Sequence, residues 1–253
     1  MKVISLGWGI QSFTLAAMSA LGELEPVDVA IHADTTHEAS GTYTFARAWM
    51  PWLEEHGVQV VTVSSGVSDK WLESSRLKGY GTPPLFTQWK TDGKMRRSCT
   101  QRWEIAPMRR WLQANRNGKP VEQWLGISLD EVQRMRDSDV KYITNRYPLI
   151  ERRMTRWDCE QWLVRHNLKV PPKSACVFCP FHDTGMWRSL KQSGNGDWQK
   201  ALEVDEAIRK ARPPYDLYLH PSRQPLELVD FSTETDHGQL SLWDEECSGI
   251  CGV

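Results

Sequence analysis

The chain has 253 residues, with 31 Lys and Arg against 32 Asp and Glu, a formal net charge of −1, 40% hydrophobic and 25% charged residues. This suits a folded globular protein of one large domain or one domain with an appendage, and it argues against a generic nucleic-acid-coating protein. No apolar run approaches the roughly 18 residues of a bilayer span and the N-terminus lacks a signal-peptide pattern, so the expectation is a cytoplasmic protein without membrane contact.

In chain order, Lys2–Leu6 reads as a first strand, apolar enough to be buried on both faces. A Gly-rich turn leads into a helix from about Ile10 to Leu21, followed by a strand over Asp28–Ala33, a helix over Gly41–His56 and a strand over Val58–Val63. Strands alternating with helices at this spacing imply a parallel sheet with right-handed crossovers, a doubly wound α/β fold. The pattern loosens between Ser64 and Ser98, where Lys78–Pro84 is turn-rich. Further elements are a helix over Ile105–Ala114, a fourth strand over Gln123–Ile127, a fifth over Tyr147–Ile150, and a helix over Thr155–His166 with Thr155 as N-cap and Asp158 completing a capping box. After Pro171-Pro172 come helices near Gly185–Gln192 and Trp198–Ala211, then a Pro-rich, irregular tail from Arg212. The expected domains are a nucleotide-binding α/β domain over 1–150 and a helical, cysteine-bearing region over 151–253.

Three features carry chemistry. The turn Leu6-Gly7-Trp8-Gly9-Ile10-Gln11-Ser12 sits where a parallel sheet binds phosphate, after strand one and at a helix N-terminus, although Gly-containing strand-to-helix turns are also common without a ligand. It is not a Walker loop, since no Gly-Lys-Ser/Thr follows. The pair in Cys176-Val177-Phe178-Cys179-Pro180 can aim two thiolates at one metal, with Cys99 and Cys159 completing four-fold coordination. The alternative for Cys159 is a buried helix cysteine. Iron–sulfur is preferred to zinc, though thiolate ligation is compatible with both. Cys247 and Cys251, in the tail, are a redox or sulfur-relay pair, substitute ligands, or inert thiols. Finally, Lys94 to Lys169 holds 17 Lys and Arg against 9 Asp and Glu, a bias that a solvated basic face and a nucleic-acid track explain equally well. Arg97 and Arg134 are the candidates for phosphate neutralisation, because a guanidinium fork fits phosphate oxygens. Asp34 is the candidate for Mg²⁺ or ribose contact.

The first turn resembles a degenerate PP-loop, Ser-Gly-Gly-x-x-Ser, of the adenine nucleotide alpha-hydrolase superfamily, and within it the phosphoadenosine phosphosulfate (PAPS) reductase-like family. Gly9 and Ser12 match the pattern, whereas Gly7, Trp8 and Gln11 stand where the family has serine, glycine and aspartate. His32-Ala33-Asp34-Thr35 resembles the second-strand signature bordering the adenosine, and Arg97-Ser98-Cys99-Thr100 followed by Pro107 resembles the Arg-x-Cys-Thr segment. Gly126-Ile127 with Asp130, Glu131 and Arg134 resembles the loop closing over the nucleotide, and the two cysteine motifs resemble members found in phage and prophage genomes. The resemblance covers most of the chain. It implies a doubly wound fold of the alpha-hydrolase (HUP) type and a nucleotide, ATP or PAPS, with Mg²⁺. It also implies a 4Fe-4S cluster, or alternatively Zn, on Cys99, Cys159, Cys176 and Cys179. The leading expectation is ATP-dependent sulfur transfer to DNA or tRNA, with a sulfur donor protein as partner. PAPS or adenylylsulfate reduction, and a non-catalytic nucleotide-binding module with structural zinc, are the alternatives. The oligomeric state is left open, a homodimer included.

Overall fold

The computed structural model of the protein describes residues 1–72 and 80–232. In chain order the elements are β1 (Lys2–Ser5), α1 (Ile10–Ala20), β2 (Val29–Asp34), α2 (Ser40–Glu55), β3 (Val60–Ser64), β4 (Phe86–Gln88), β5 (Gly93–Lys94), α3 (Ala106–Asn115) and β6 (Val121–Trp124). They continue with β7 (Ile143–Arg146), α4 (Pro148–Glu151), α5 (Arg156–Arg165), α6 (Thr184–Gln192), α7 (Asp197–Ile208) and β8 (Asp216–Tyr218). The chain forms two compact units, one from Met1–Ser65 and Trp103–Ser174, the other from Gly66–Arg102 and the chain from Ala175 on. This interleaved division differs from the single cut expected at residue 150, because α5 packs into the core of the first unit while residues 66–102 belong to the second.

In the first unit, five parallel strands lie in the order β3-β2-β1-β6-β7. Alternation along the strands sends Ile4 and Ala30 into a core with α1, α2 and α5, and Val3, Val29 and Ile31 to the opposite face against Met108 and Leu112 of α3. Helices on both faces make this a doubly wound α/β fold, and the strand order reverses between β1 and β6. Helix α1 is apolar on nearly every side and correspondingly buried, and its Phe13 meets Phe45 of α2 edge-to-face at 4.9 Å. The predicted capping box is present: the Thr155 hydroxyl accepts from the Asp158 amide, and the Asp158 carboxylate accepts from the Thr155 amide at 2.8 Å.

Two strand expectations are corrected. The fourth strand of the sheet is Val121–Trp124, and Gly126–Ser128 is loop. The fifth is Ile143–Arg146, whereas Pro148–Glu151 is helical. Pro148 supplies no ladder donor but suits a first helical turn, and Tyr147 turns its hydroxyl onto Arg136, donating to its carbonyl and accepting from its amide.

In the second unit, β4 pairs antiparallel with both β5 and β8, a three-stranded sheet that was not predicted. Leu217 of β8 is fully buried. Asp205 of α7, 3% exposed, holds the stretch beyond β8: its carboxylate accepts from the Leu219 amide at 3.3 Å and the Leu226 amide at 2.9 Å, and pairs with Arg209. A second aromatic core gathers Trp187, Trp198 and Phe231.

These two anchors differ in cost. Thr155→Ala removes one helix cap and is expected to lower stability by about 1 kcal/mol. Asp205→Ala strands buried donors and a guanidinium, and is expected to cost about 3 kcal/mol. Urea unfolding of both variants checks the ranking; equal losses would contradict it.

Candidate functional site

The loop after β1 and the loop after β6 leave the sheet at the switch point, where ligands of open α/β sheets bind. Gly9 is the N-cap of α1, with extended backbone, no side-chain cap and no acidic residue in the first helical turn. The positive end of the helix is therefore not neutralised by its own sequence. The loop is braced from within and from Ser174: the Gly7 amide donates to Ser12 Oγ at 3.2 Å, Ser12 Oγ donates to the Gly9 carbonyl at 3.3 Å, and the Ser174 hydroxyl donates to the Gly7 carbonyl.

Trp8 anchors the turn. Its backbone is left-handed, with φ 59°, and its ring is fully buried beside Phe13, Phe45 and His32. A non-glycine residue pays for that backbone with conformational strain, here offset by burial of a large aromatic surface.

Gly126 makes the tightest approach of the site. A Cβ there would stand 2.7 Å from the Ser12 nitrogen and 2.9 Å from its Cα, so only glycine lets the loop after β6 press against the first turn of α1. Gln11 clamps the same contact. Its Nε2 donates to Ser128 Oγ at 3.4 Å and Glu131 Oε2 at 3.3 Å, while its Oε1 accepts from Arg156 at 3.1 Å. An amide bridges a carboxylate and a guanidinium at once; the family's aspartate would set a second carboxylate against Glu131. Asp130 caps from the same loop, accepting from the Arg156 amide at 3.0 Å. Arg156 was not identified from sequence, since nothing local in it marks a partner 145 residues away.

At the end of β2, His32 is buried and donates through Nδ1 to the Leu6 carbonyl at 3.1 Å; desolvation holds its pKa below the ordinary value, so it is neutral. Asp34 Oδ1 accepts from the Thr36 amide at 2.8 Å and from the Tyr43 hydroxyl at 2.7 Å, and burial together with Asp34 pushes the Tyr43 phenol up. Thr35 donates to Glu38 at 3.0 Å. His32, Asp34, Tyr43, Arg47, Glu54 and Thr62 are among the residues lining a cavity of about 300 Å³. Arg134 follows the Gly126 loop and is already paired with Glu131.

Arg97, Cys99, Cys176 and Cys179 lie in the second unit. The Cys179 amide donates to the Cys176 carbonyl at 3.0 Å, closing the knuckle as a turn, and Arg97 donates to Thr100 and lies 5.6 Å from the Phe181 ring centre. Cys159 lies in the first unit, within its apolar core and fully buried, and burial pushes its thiol up to about 12. Among the described residues, no three His, Cys, Asp or Glu side chains are grouped to hold a metal ion. Cys247 and Cys251 lie outside the described residues.

No family model matches this sequence. No curated protein matches it either. Among solved structures, it is similar to the phosphoadenylyl-sulfate (PAPS) reductase from Candida auris in its phosphate complex, at 13% identity and a TM-score of 0.45, over 67% of this chain and 74% of that chain. No helix among the described residues is long and apolar enough to cross a membrane.

Alkylation with iodoacetamide at pH 8, read by mass spectrometry, is expected to leave Cys159 unmodified in the folded protein and to label it fully in guanidinium. Protection should survive treatment with a metal chelator. Labelling of Cys159 on chelation alone would instead make it a ligand.

Proposed function

We propose that the protein is an enzyme of the PAPS reductase-like kind that binds an adenine nucleotide at the loop after β1 and uses ATP to drive sulfur transfer to a nucleic acid. One observation carries the reading: at the switch point, Gly126 is pressed against the uncapped first turn of α1, a backbone-only cradle for an anion. The first-turn amides of α1 behind the Gly9 N-cap would position the phosphates, and Asp34, whose Oδ1 is already engaged, would offer Oδ2 to Mg²⁺ or a ribose hydroxyl.

In this reaction an acceptor oxygen attacks the α-phosphorus, the bond to pyrophosphate breaks, and pyrophosphate leaves with the electron pair. The acceptor oxygen is now part of a good leaving group. A cysteine persulfide, loaded by a sulfur donor, attacks the acceptor carbon with its outer sulfur, and AMP departs as the carbon–oxygen bond breaks. A second thiolate then attacks the inner sulfur. The acceptor keeps the outer sulfur, and the two cysteines end as a disulfide that a dithiol reductant resets. Cys176 and Cys179, joined by a backbone turn, would be the two thiols of this exchange. The helix N-terminus contributes charge stabilisation at the phosphates, and the closely held loops contribute positioning.

The test is anaerobic incubation with ATP, unfractionated tRNA or single-stranded DNA, and a persulfide donor, with pyrophosphate and thiolated product both measured. Release of pyrophosphate dependent on the nucleic acid is expected. Sulfite formation from PAPS would replace this reading with the reductase one, and nucleotide binding without turnover would reduce the protein to a binding module. Gly126→Ala is expected to weaken binding of a fluorescent ATP analogue at least about tenfold, roughly 1.4 kcal/mol. Unchanged binding in that variant would remove the cradle from the site.

A further inference from the structure

The small sheet of the second unit carries a surface that the reaction above does not use. Residues 86–102 and 209–223 contain nine Lys and Arg against two Asp. Both acids are already engaged, Asp216 by Lys210 at 2.6 Å and Asp92 by Arg223 at 3.4 Å. Among the described residues, Lys90, Lys94, Arg96 and Arg212 have no carboxylate partner, and all four are exposed.

Aromatic rings stand among these cations. One register step beyond the last β4–β8 pair, Gln88 with Asp216, the Trp89 ring meets Tyr215 edge-on at 5.6 Å. Trp89 is 51% exposed, an unusual state for the largest apolar side chain, and the Lys90 ammonium lies 4.9 Å from its ring centre. Arg212 is held next to Tyr215 by a backbone bridge. On the neighbouring strand, Lys94 stands opposite Phe86 and lies 5.0 Å from its ring and 4.1 Å from that of Phe181, two residues beyond Cys179.

We propose that this end of the sheet docks a single-stranded polynucleotide, a base stacking on Trp89 beside Tyr215 while Lys90, Arg212, Lys94 and Arg96 neutralise successive phosphates. An exposed aromatic ring among cations without carboxylate partners matches the chemistry of unstacked bases on a charged backbone; a duplex keeps its base faces covered, and a polyglutamate chain carries charge without rings. At the Lys94 end this surface meets Phe181, two residues beyond the Cys176–Cys179 turn. The inference deepens the proposed function by naming where the acceptor strand docks, and it rests on that reading only for the strand's role as substrate.

The experiment is fluorescence anisotropy of labelled 15-nucleotide single strands, one of DNA and one of RNA, with the full chain and without any nucleotide cofactor. At least one strand is expected to bind, more tightly than the matching duplex and more tightly than poly-glutamate, and the difference between the two arms identifies the sugar preferred. Trp89→Ala is expected to weaken binding about five- to fifty-fold. Lys90→Glu with Arg212→Glu is expected to weaken it further and to flatten the log–log salt slope by about 1.4. Binding of the fluorescent ATP analogue should stay unchanged in all these surface variants, which separates failure of this surface from failure of the nucleotide site. No binding by the native chain at 50 mM salt, equal affinity for duplex or poly-glutamate, or full retention of binding in both variants would each overturn the proposal.

Discussion

The first unit depends on one backbone contact, the approach of Gly126 to the opening turn of α1. Everything at the switch point is arranged around it. Gln11 reaches across to Ser128 and Glu131, Arg156 returns from α5 to Gln11, and Asp130 caps α5 from the same loop. Two loops that a parallel sheet would otherwise splay apart are thus held at backbone distance, and the helix end between them stays free of side-chain caps. In the proposed nucleotide site these preorganised dipoles would need little rearrangement on arrival of an anion.

Trp8 and Gln11, where the turn differs from the PP-loop pattern it resembles, are parts of this bracing. Trp8 exchanges backbone freedom for a buried aromatic anchor, and Gln11 exchanges a negative charge for an amide that satisfies a carboxylate and a guanidinium together. The loop's remaining cations are committed too: Arg134 and Arg156 each hold a partner in the bracing network.

The second unit has a different character. Its sheet is short and antiparallel, its exposed end is aromatic and basic, and its cysteine turn lies near Lys94, whose pKa burial lowers despite the opposing influence of Cys179. Cations lie beside rings at Trp89, Phe86, Phe181 and Tyr218, so much of the unit's positive charge is displayed on apolar supports. Long cationic side chains favour such rings because their stems bury apolar surface while the head group remains charged.

By itself the sequence determined the doubly wound plan: apolar strands alternating with helices, the Gly turn opening α1, and the Thr155–Asp158 box that starts α5 were all legible, because each is written in neighbouring residues. The Gly126 segment was legible as a motif but misread as strand, since only the packing of Ser12 against it shows why a glycine must turn there. The β4–β5 hairpin carried a local sign in Asp92-Gly93, yet its third strand, β8, lies more than a hundred residues on, and no periodicity reports such a partner. For the same reason tertiary structure alone decided that the chain leaves its first unit at residue 66 and returns at 103, that Cys159 is a core thiol, and that Arg156 meets Gln11. Helix caps and strand alternation are fixed by contacts a few residues apart, whereas burial and long-range pairing are fixed by the folded whole.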